Sequence, residues 1–344
     1  MTQLVDQLAD LTALRDRELL DAALVTTLQE LIQPSGIAIY RLVGPSDNEH
    51  WLTCVHRQPG VEETQASQTW ADIDALPLAA DFAARQLALS KRQPVIATST
   101  PWVNVFPLTT QSASQGVLEL ECGDALSAES VRLVRGVLRL FQNFQGLLDY
   151  GERDALTELL NRKTFDGAFL KATTVRHDSQ ELAADDRRRS SDAVGGYWLA
   201  MLDIDHFKHV NDGFGHLIGD EVLLLLARLM RSTFRFHDQL YRFGGEEFVV
   251  LMRCAQAGQA ETALERLRRT TEQYSFSRVG CITISIGFTQ ILPGDSPSGA
   301  FERADKAVYY AKEHGRNQVC GHEALVAQGK LAAQAVNVGD IELF

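Results

Sequence analysis

Apolar residues recur at helical spacing through the first 33 residues, at Leu4, Leu8 and Leu11 and then at Leu19, Leu20, Leu24, Leu28 and Leu31. That period predicts helix, stopped by Pro34 and Gly36. Strand-like runs follow at GIAIYRLV (36–43) and HWLTCV (50–55), then a helix over about 78–90, then strands at VNVFPL (103–108) and QGVLELEC (115–122). From Ser127 to about Tyr150 the apolar residues are Val134, Val137, Phe141, Phe144 and Leu148, with spacings that alternate three and four. This is the seam of a two-stranded coiled coil, and equally the buried stripe of a helix lying on its own domain.

From residue 154 helices and strands alternate. DALTELLNRKTFDGAFLKA (154–172) reads as helix, GYWLAMLDID (196–205) as an apolar strand ending in acids, and GDEVLLLLARLMRSTF (219–234) as helix. YRF and FVVLM form a hairpin around GGEE, TALERLRRTTE is helical, and ITISIGFT (282–289) is a strand. FERADKAVYYAKEHG (301–315) closes the pattern as a helix before NQVC. Interleaving of this kind predicts a sheet with helices packed on its faces. The polar stretch 177–196, where Arg187, Arg188 and Arg189 stand beside acids, reads as a solvated loop, and the Ala-rich tail after Gly321 as helix.

A length of 344 residues accommodates two domains with separate cores. The formal charge of −12 argues against a DNA-binding surface but leaves room for a local nucleotide pocket. Five dispersed cysteines (Cys54, Cys122, Cys254, Cys281, Cys320) without a C-x-x-C pair read as reduced thiols. The N-terminus lacks an apolar signal core, and VLLLLA at 222–227 is too short to span a membrane. The expectation is a cytoplasmic protein with no membrane partner.

Candidate chemistry concentrates in two places. YRFGGEEFVV (241–250) sets two glycines and two adjacent carboxylates between apolar runs. Glycine weakens a strand and neighbouring carboxylates repel, so Gly244 and Gly245 point to close backbone approach, and Glu246 and Glu247 to a positive partner. In MLDIDHFKHVND, Asp203 and Asp205 stand at the C-terminal end of a buried strand, where α/β sheets open their binding crevice. Two such acids on one face are costly unless a hard cation such as Mg²⁺ binds them, and Mg²⁺ commonly keeps phosphate ligands. The next loop, HVNDGFGHLIGD, carries Asn211 and Asp220, which match the donors and acceptor of a guanine edge. Asp220 also suits a helix N-cap. Lys312 and Arg316 in KEHGRN lie four apart and are expected to share a helical face, as a phosphate clamp or a surface pair. There is no G-x-x-x-x-G-K-[ST] loop, which excludes a P-loop enzyme.

The segments DALTELLNR, DIDHFKHVNDGFGHLIGD, RFHD, RFGGEEF, ITISIG and ADKAVYYAKEHGRN, in this order over 154–320, resemble the motif set of GGDEF-domain diguanylate cyclases in the GGEEF variant. The element order of the first 126 residues resembles a GAF sensor domain, followed by a signalling helix over 127–153, the cyclase domain over 154–321 and a tail over 322–344. The implied fold is a two-domain α+β and α/β chain whose cyclase half has a central mixed sheet flanked by helices.

By position, the resemblance implies that Asp203, the Ile204 carbonyl and Glu246 hold Mg²⁺ (or Mn²⁺), with Glu247 beside them and Glu246 a candidate general base. It implies that Asn211 and Asp220 bind guanine with His216 in the same loop, and that Lys208, Lys312 and Arg316 meet phosphates. The implied reaction joins two GTP molecules into cyclic di-GMP with loss of two pyrophosphates, across a homodimer. That symmetry favours the coiled-coil reading of 127–150. Arg235 and Asp238 of RFHD, separated from Gly244 by five residues, resemble an RxxD product-feedback site, with Arg266 as a second arginine. An i,i+3 surface pair is the plain alternative. A catalytically silent nucleotide-binding module is the rival function, and a mixed adenine–guanine product is disfavoured by Asp220. The input to the GAF-like domain is a small molecule or a protein: Cys54 and His56, or Trp51, Trp70 and Trp102, line a site or merely pack.

Overall fold

Asp16 opens the first long helix, its carboxylate accepting the Glu18 and Leu19 amides at 2.9 and 3.2 Å. Helix α1 (Arg17–Ile32) ends at Gln33, in the left-handed conformation just before Pro34. The computed structural model describes residues 9, 12–14, 16–45, 47–58, 73–109, 115–182 and 196–332. Leu4, Leu8, Leu11, Trp70 and the three arginines at 187–189 lie outside them. The chain divides into two units, Met1–Glu152 and Arg153–Phe344.

In the first unit, β1 (Gly36–Val43), β2 (His50–Arg57), β3 (Trp102–Thr109) and β4 (Gln115–Cys122) form an antiparallel sheet ordered β2-β1-β4-β3. One face buries Ile37, Ile39, Phe106, Leu118 and Leu120 under Leu20, Leu24 and Leu28 of α1. Helix α3 (Ala128–Glu152) covers the same core with Val134, Val137, Phe141 and Leu148, and Phe144 packs against it. The coiled-coil seam expected there is therefore corrected: an apolar sheet face needs cover, and the stripe lies on its own unit. The stretch expected as a separate linker over 127–153 belongs to that unit up to Glu152.

The opposite face carries Trp51, Val105 and Val117 beneath Ala88 of α2 (Ala83–Lys91). The helix expected over 78–90 is a 3₁₀ turn (Ala79–Asp81) followed by α2. Arg85 of α2 is buried there, donating to Glu119 at 2.7 Å with its guanidinium 3.5 Å above the Tyr40 ring and 4.1 Å above Phe82. Trp51 thus fills core beside a plugged concavity, and burial pushes the Cys54 thiol up to about 11, as for a packed cysteine.

The second unit holds β5 (Leu160–Asn161), β6 (Gly196–Ile204), β7 (Gln239–Gly244), β8 (Glu247–Cys254), β9 (Ile284–Gln290) and β10 (Val319–Gly321). They form a mixed sheet ordered β10-β9-β6-β8-β7-β5, parallel at both outer pairs and antiparallel between. Among the described residues five helices longer than a single turn or two surround it: α4 (Arg162–Leu182), α5 (Phe207–Phe214), α6 (His216–Thr233), α7 (Ala257–Gln273) and α8 (Pro297–Glu313). A short α9 (His322–Ala327) begins the tail. None of the helices among the described residues is long and apolar enough to cross a membrane.

Three local expectations change. The helix expected from 154 begins only at Arg162, because Asp154 accepts both the Thr157 amide and hydroxyl (2.8 and 2.7 Å) and Glu158 turns left-handed. The first residues of the stretch 177–196 continue α4 to Leu182. The stretch expected as a loop after Lys208 is two helices, α5 and α6, broken at Gly215, whose φ of 85° glycine alone tolerates readily.

Glycine also sets one packing distance: a Cβ at Gly287 on β9 would lie 2.3 Å from the Ala304 carbonyl oxygen and the Val308 nitrogen, so its absence lets α8 press onto the sheet. Asp205, expected to share a cation with Asp203, is buried and fully engaged. It accepts Thr283 Oγ1 (2.7 Å), Ser285 Oγ (2.7 Å) and the Asn317 amide (3.0 Å). Asp205→Ala leaves three donors unpaired, the buried Ser285 hydroxyl among them, and is expected to cost about 3 kcal/mol in urea unfolding of the full chain. A loss below about 0.5 kcal/mol would show that this carboxylate does not anchor the fold.

Candidate functional site

The site begins with strand register. Asp203, the penultimate residue of β6, lies directly opposite Glu247 at the start of β8, and opposite Ser285 of β9 on its other side. Residues so paired point to one face of the sheet. Lys312, in the last turn of α8, reaches Asp203 with Nζ 2.8 Å from Oδ1. Burial, with Asp205 and Asp305 nearby, raises the Asp203 pKa despite that lysine. Burial and then Asp203 and Glu247 raise the Glu246 carboxyl, again against Lys312. Asp203, Glu246, Glu247 and Lys312 are therefore one electrostatic group.

The turn that carries the glutamates is held from outside. Gly244 and Gly245 have φ of 151° and 50°, and a Cβ at either would meet nothing within 4 Å, so their backbone faces open space. Arg242 donates to the Gly245 carbonyl from Nε and Nη2 (3.2 and 2.9 Å) and to Asp154 Oδ1 from Nη1 (3.0 Å). The same Asp154 that interrupts the expected helix thus braces the hairpin. Alongside, a cavity of about 610 Å³ runs past Glu247 and Met201 between Arg162, Phe165, Phe243 and Phe301.

Other expected residues fall around this centre. Asn211 on α5 lies against α6 at Gly219, the residue before Asp220, because Gly219 has no side chain: a Cβ there would lie 2.0 Å from Asn211 Oδ1. Asp220 is an exposed residue inside α6 and not its N-cap. Lys208 and His216 are exposed on α5 and at the first position of α6. Lys312 and Arg316 do not share a helical face: α8 ends at Glu313, and Arg316 sits exposed in a left-handed turn (φ 61°) whose amide donates to the Ala311 carbonyl at 2.9 Å.

At the far end of α6, Asp238 accepts the Arg235 amide at 2.9 Å with its side chain almost fully buried. Burial pushes its pKa up to about 6. The carboxylate expected to face a guanine is therefore turned inward as a turn cap. Arg235 is exposed, and Arg266 of α7 is drawn to the same corner by donating to the Thr233 carbonyl at 2.5 Å.

Asp203 and Glu246 carboxylates with the Ile204 carbonyl make a donor set of hard oxygens, which suits Mg²⁺ and not a soft metal. Burial raises both carboxyls, and Asp203 adds to the shift of Glu246, a crowding of negative charge that a divalent cation relieves. Among the described residues no three His, Cys, Asp or Glu side chains already converge as a metal-holding group. Asp203, Glu246 and Glu247 form an acidic cluster braced by Lys312 at Asp203.

A mixed sheet with a glycine–carboxylate hairpin beside a strand-end acid defines an α/β domain with an acidic centre at one strand terminus. Residues 152–318 match the family described as Diguanylate cyclase, GGDEF domain, so the second unit contains a GGDEF domain. The chain is 43% identical over 144 residues to Diguanylate cyclase DgcP of Pseudomonas aeruginosa, covering 41% of this chain and 21% of that protein. It is 36% identical over 172 residues to Diguanylate cyclase VdcA of Vibrio cholerae, covering 48% and 45%. It thus spans less than half the length of both. The GGDEF domain of DgcB from Caulobacter crescentus, solved in complex with c-di-GMP, is 34% identical and covers 50% of this chain and 94% of that one, with a TM-score of 0.44.

Three residues escaped the sequence reading: Arg242, Gly219 and Gly287. The glycines were visible inside HLIGDE and SIGF, where a residue that weakens a helix or strand signals close approach. Replacing Arg242 by Ala is expected to speed amide exchange at residues 244–247 by about tenfold. Unchanged exchange there would remove the bracing role.

Proposed function

We propose that this chain is a diguanylate cyclase, a nucleotidyltransferase that condenses two GTP molecules into cyclic di-GMP and two pyrophosphates. The observation that carries the reading is the gathering of Asp203, Glu246, Glu247 and Lys312 at the β6 terminus and its neighbouring turn, within a segment matched as a GGDEF domain.

Asp203, the Ile204 carbonyl and Glu246 would hold Mg²⁺, which supplies positive charge against the triphosphate and the attacking hydroxyl. Asn211 and Asp220 accept and donate along the guanine edge, and Asp220 discriminates against adenine, whose N1 lone pair a carboxylate repels. The side-chain-free backbone at Gly244 and Gly245 admits ribose and phosphate. Lys312 and Arg316 neutralise phosphate oxygens, with Lys208 and His216 at the rim. Glu246 takes the proton of the 3′-hydroxyl as it attacks the α-phosphorus of the other GTP, and pyrophosphate leaves. Each domain presents one GTP, so the ring closes between two copies related by a two-fold axis. The first unit, with its GAF-like element order, is the input module.

Incubation with GTP and Mg²⁺ followed by chromatography is expected to yield cyclic di-GMP, with Glu246→Gln slower by about a hundredfold or more. Because Asp203 and Glu246 hold their protons to higher pH than ordinary carboxyls, activity falls on acidification before the ordinary carboxylate range is reached. GTP binding without any product, or full activity in Glu246→Gln, would defeat the proposal.

Product feedback fits the exposed Arg235 and Arg266, whose guanidinium forks suit guanine O6 and N7. Asp238 positions Arg235 through the backbone and does not itself read the base. Arg235→Ala is expected to weaken inhibition by added cyclic di-GMP about tenfold or more without lowering the initial rate. An unshifted inhibition curve would remove the site.

A further inference from the structure

Four arginines of the first unit converge on one cavity of about 510 Å³. Arg132, Arg135 and Arg139 follow one another on α3 at intervals of three and four, and Arg92 comes from the turn that ends α2, where φ is 51°. Among the described residues no carboxylate lines the cavity and no ion pair joins any of the four to an acid. The chain as a whole carries −12, so an uncompensated basic cluster runs against its composition. Like charges three and four apart on a helix repel, and a solvated helix face would intersperse acids to relieve them.

The rest of the lining is mainly apolar, with Thr109 and Gln142 as its polar members. Its floor includes the half-buried Pro94 and Pro107, the latter on β3, the outermost strand of the sheet, over the fully buried Phe106. Val105 on that edge is already bridged to Val95 in both directions (2.8 and 2.9 Å). Two residues on, Pro107 has no N–H to offer a further strand, so the edge stays open beside α3. Gln142 of α3 donates to the Pro107 carbonyl at 3.2 Å and pins helix to strand across the cavity. A hydrophobic floor under a rim of guanidiniums matches a molecule with an apolar body and an anionic head, of a size held by small-molecule pockets.

We propose that this cavity is a ligand site of the first unit for a small phosphate ester, its phosphate forked by Arg132, Arg135 and Arg139 and its organic part laid on Pro94 and Pro107. The site lies on the α3 side of the sheet, opposite the face that Arg85 plugs. A ligand there bridges α2, β3 and α3, and so ties α3 to the sheet edge. The proposal does not rest on the cyclase reading.

The test is calorimetric titration of the full chain with phenyl phosphate, phenol and inorganic phosphate in turn. Phenyl phosphate is expected to bind once per chain and more tightly than either fragment. Arg135→Gln combined with Arg139→Gln, both exposed positions, is expected to weaken it by about tenfold or more with an unchanged melting curve. Lys312→Ala combined with Arg316→Ala is expected to leave this binding intact, which separates the cavity from the GTP site. No saturable binding by about 10 mM would overturn the proposal, as would undiminished affinity in the Arg135/Arg139 variant. Loss confined to the Lys312/Arg316 variant would assign the binding to the other unit and overturn it too. Inorganic phosphate binding as tightly as the ester would overturn the assignment of an ester.

Discussion

Antiparallel register between β6 and β8 places Asp203 opposite Glu247, and the site is organised around the negative charge gathered there: after burial, Asp203 and Glu247 both push the Glu246 carboxyl up. A fold does not keep such a pair on one sheet face, with Glu246 next in sequence, for stability. Lys312 offsets part of the cost from 2.8 Å away. It reaches Asp203 because Gly287 lets α8 lie against β9 with no Cβ between them. Both Asp203 and Glu246 stay raised, chiefly by burial, despite that lysine. The remaining negative charge is what a divalent cation with a triphosphate in tow would answer.

The strands and the glycine–carboxylate turn were legible in the sequence because both depend on local period and local conformation. Apolar runs at 36–43, 115–122 and 196–204 are strands in the structure, and the turn lies where its glycines predict. What was not legible depended on partners far along the chain. Asp205 looks like a second cation ligand by alternation, yet its partners Thr283, Ser285 and Asn317 lie 78, 80 and 112 residues away. Asp154 falls inside a stretch of helical period, but Thr157 and Arg242 compete for its carboxylate and turn the chain instead. The segment after Lys208 has three glycines and no long apolar run, which reads as loop. Packing of Phe207 and Val210 into the core makes it helix.

Helix α3 shows why a heptad does not by itself name its partner. Val134, Val137, Phe141 and Leu148 satisfy a coiled-coil seam and a sheet-covering stripe equally well, because both ask for one apolar face at intervals of three and four. The choice falls to whichever apolar surface is nearer, and the face of the β2-β1-β4-β3 sheet is contiguous in the chain. Burying those side chains in their own unit leaves Leu140, Leu147 and Tyr150 on the outward side, 46%, 70% and 88% exposed. Any self-association through α3 must therefore run along that outward side and not along the stripe that the spacing first picks out.

Two acids one residue apart at the end of β6 meet opposite fates, and the division explains the site's rigidity. Asp203 keeps an open face towards Glu246, Glu247 and Lys312, while Asp205 turns all its accepting capacity inward. Among the inward bonds is the one to the Asn317 amide, in the same left-handed turn as the exposed Arg316. Asn317 in turn accepts Arg268 of α7 at 2.7 Å and donates to Glu272 at 2.7 Å, so the turn is fastened on three sides. The buried acid thus fixes where the chain leaves α8, just after Lys312. Its neighbour on the strand is left to face charge it does not have to hold in place.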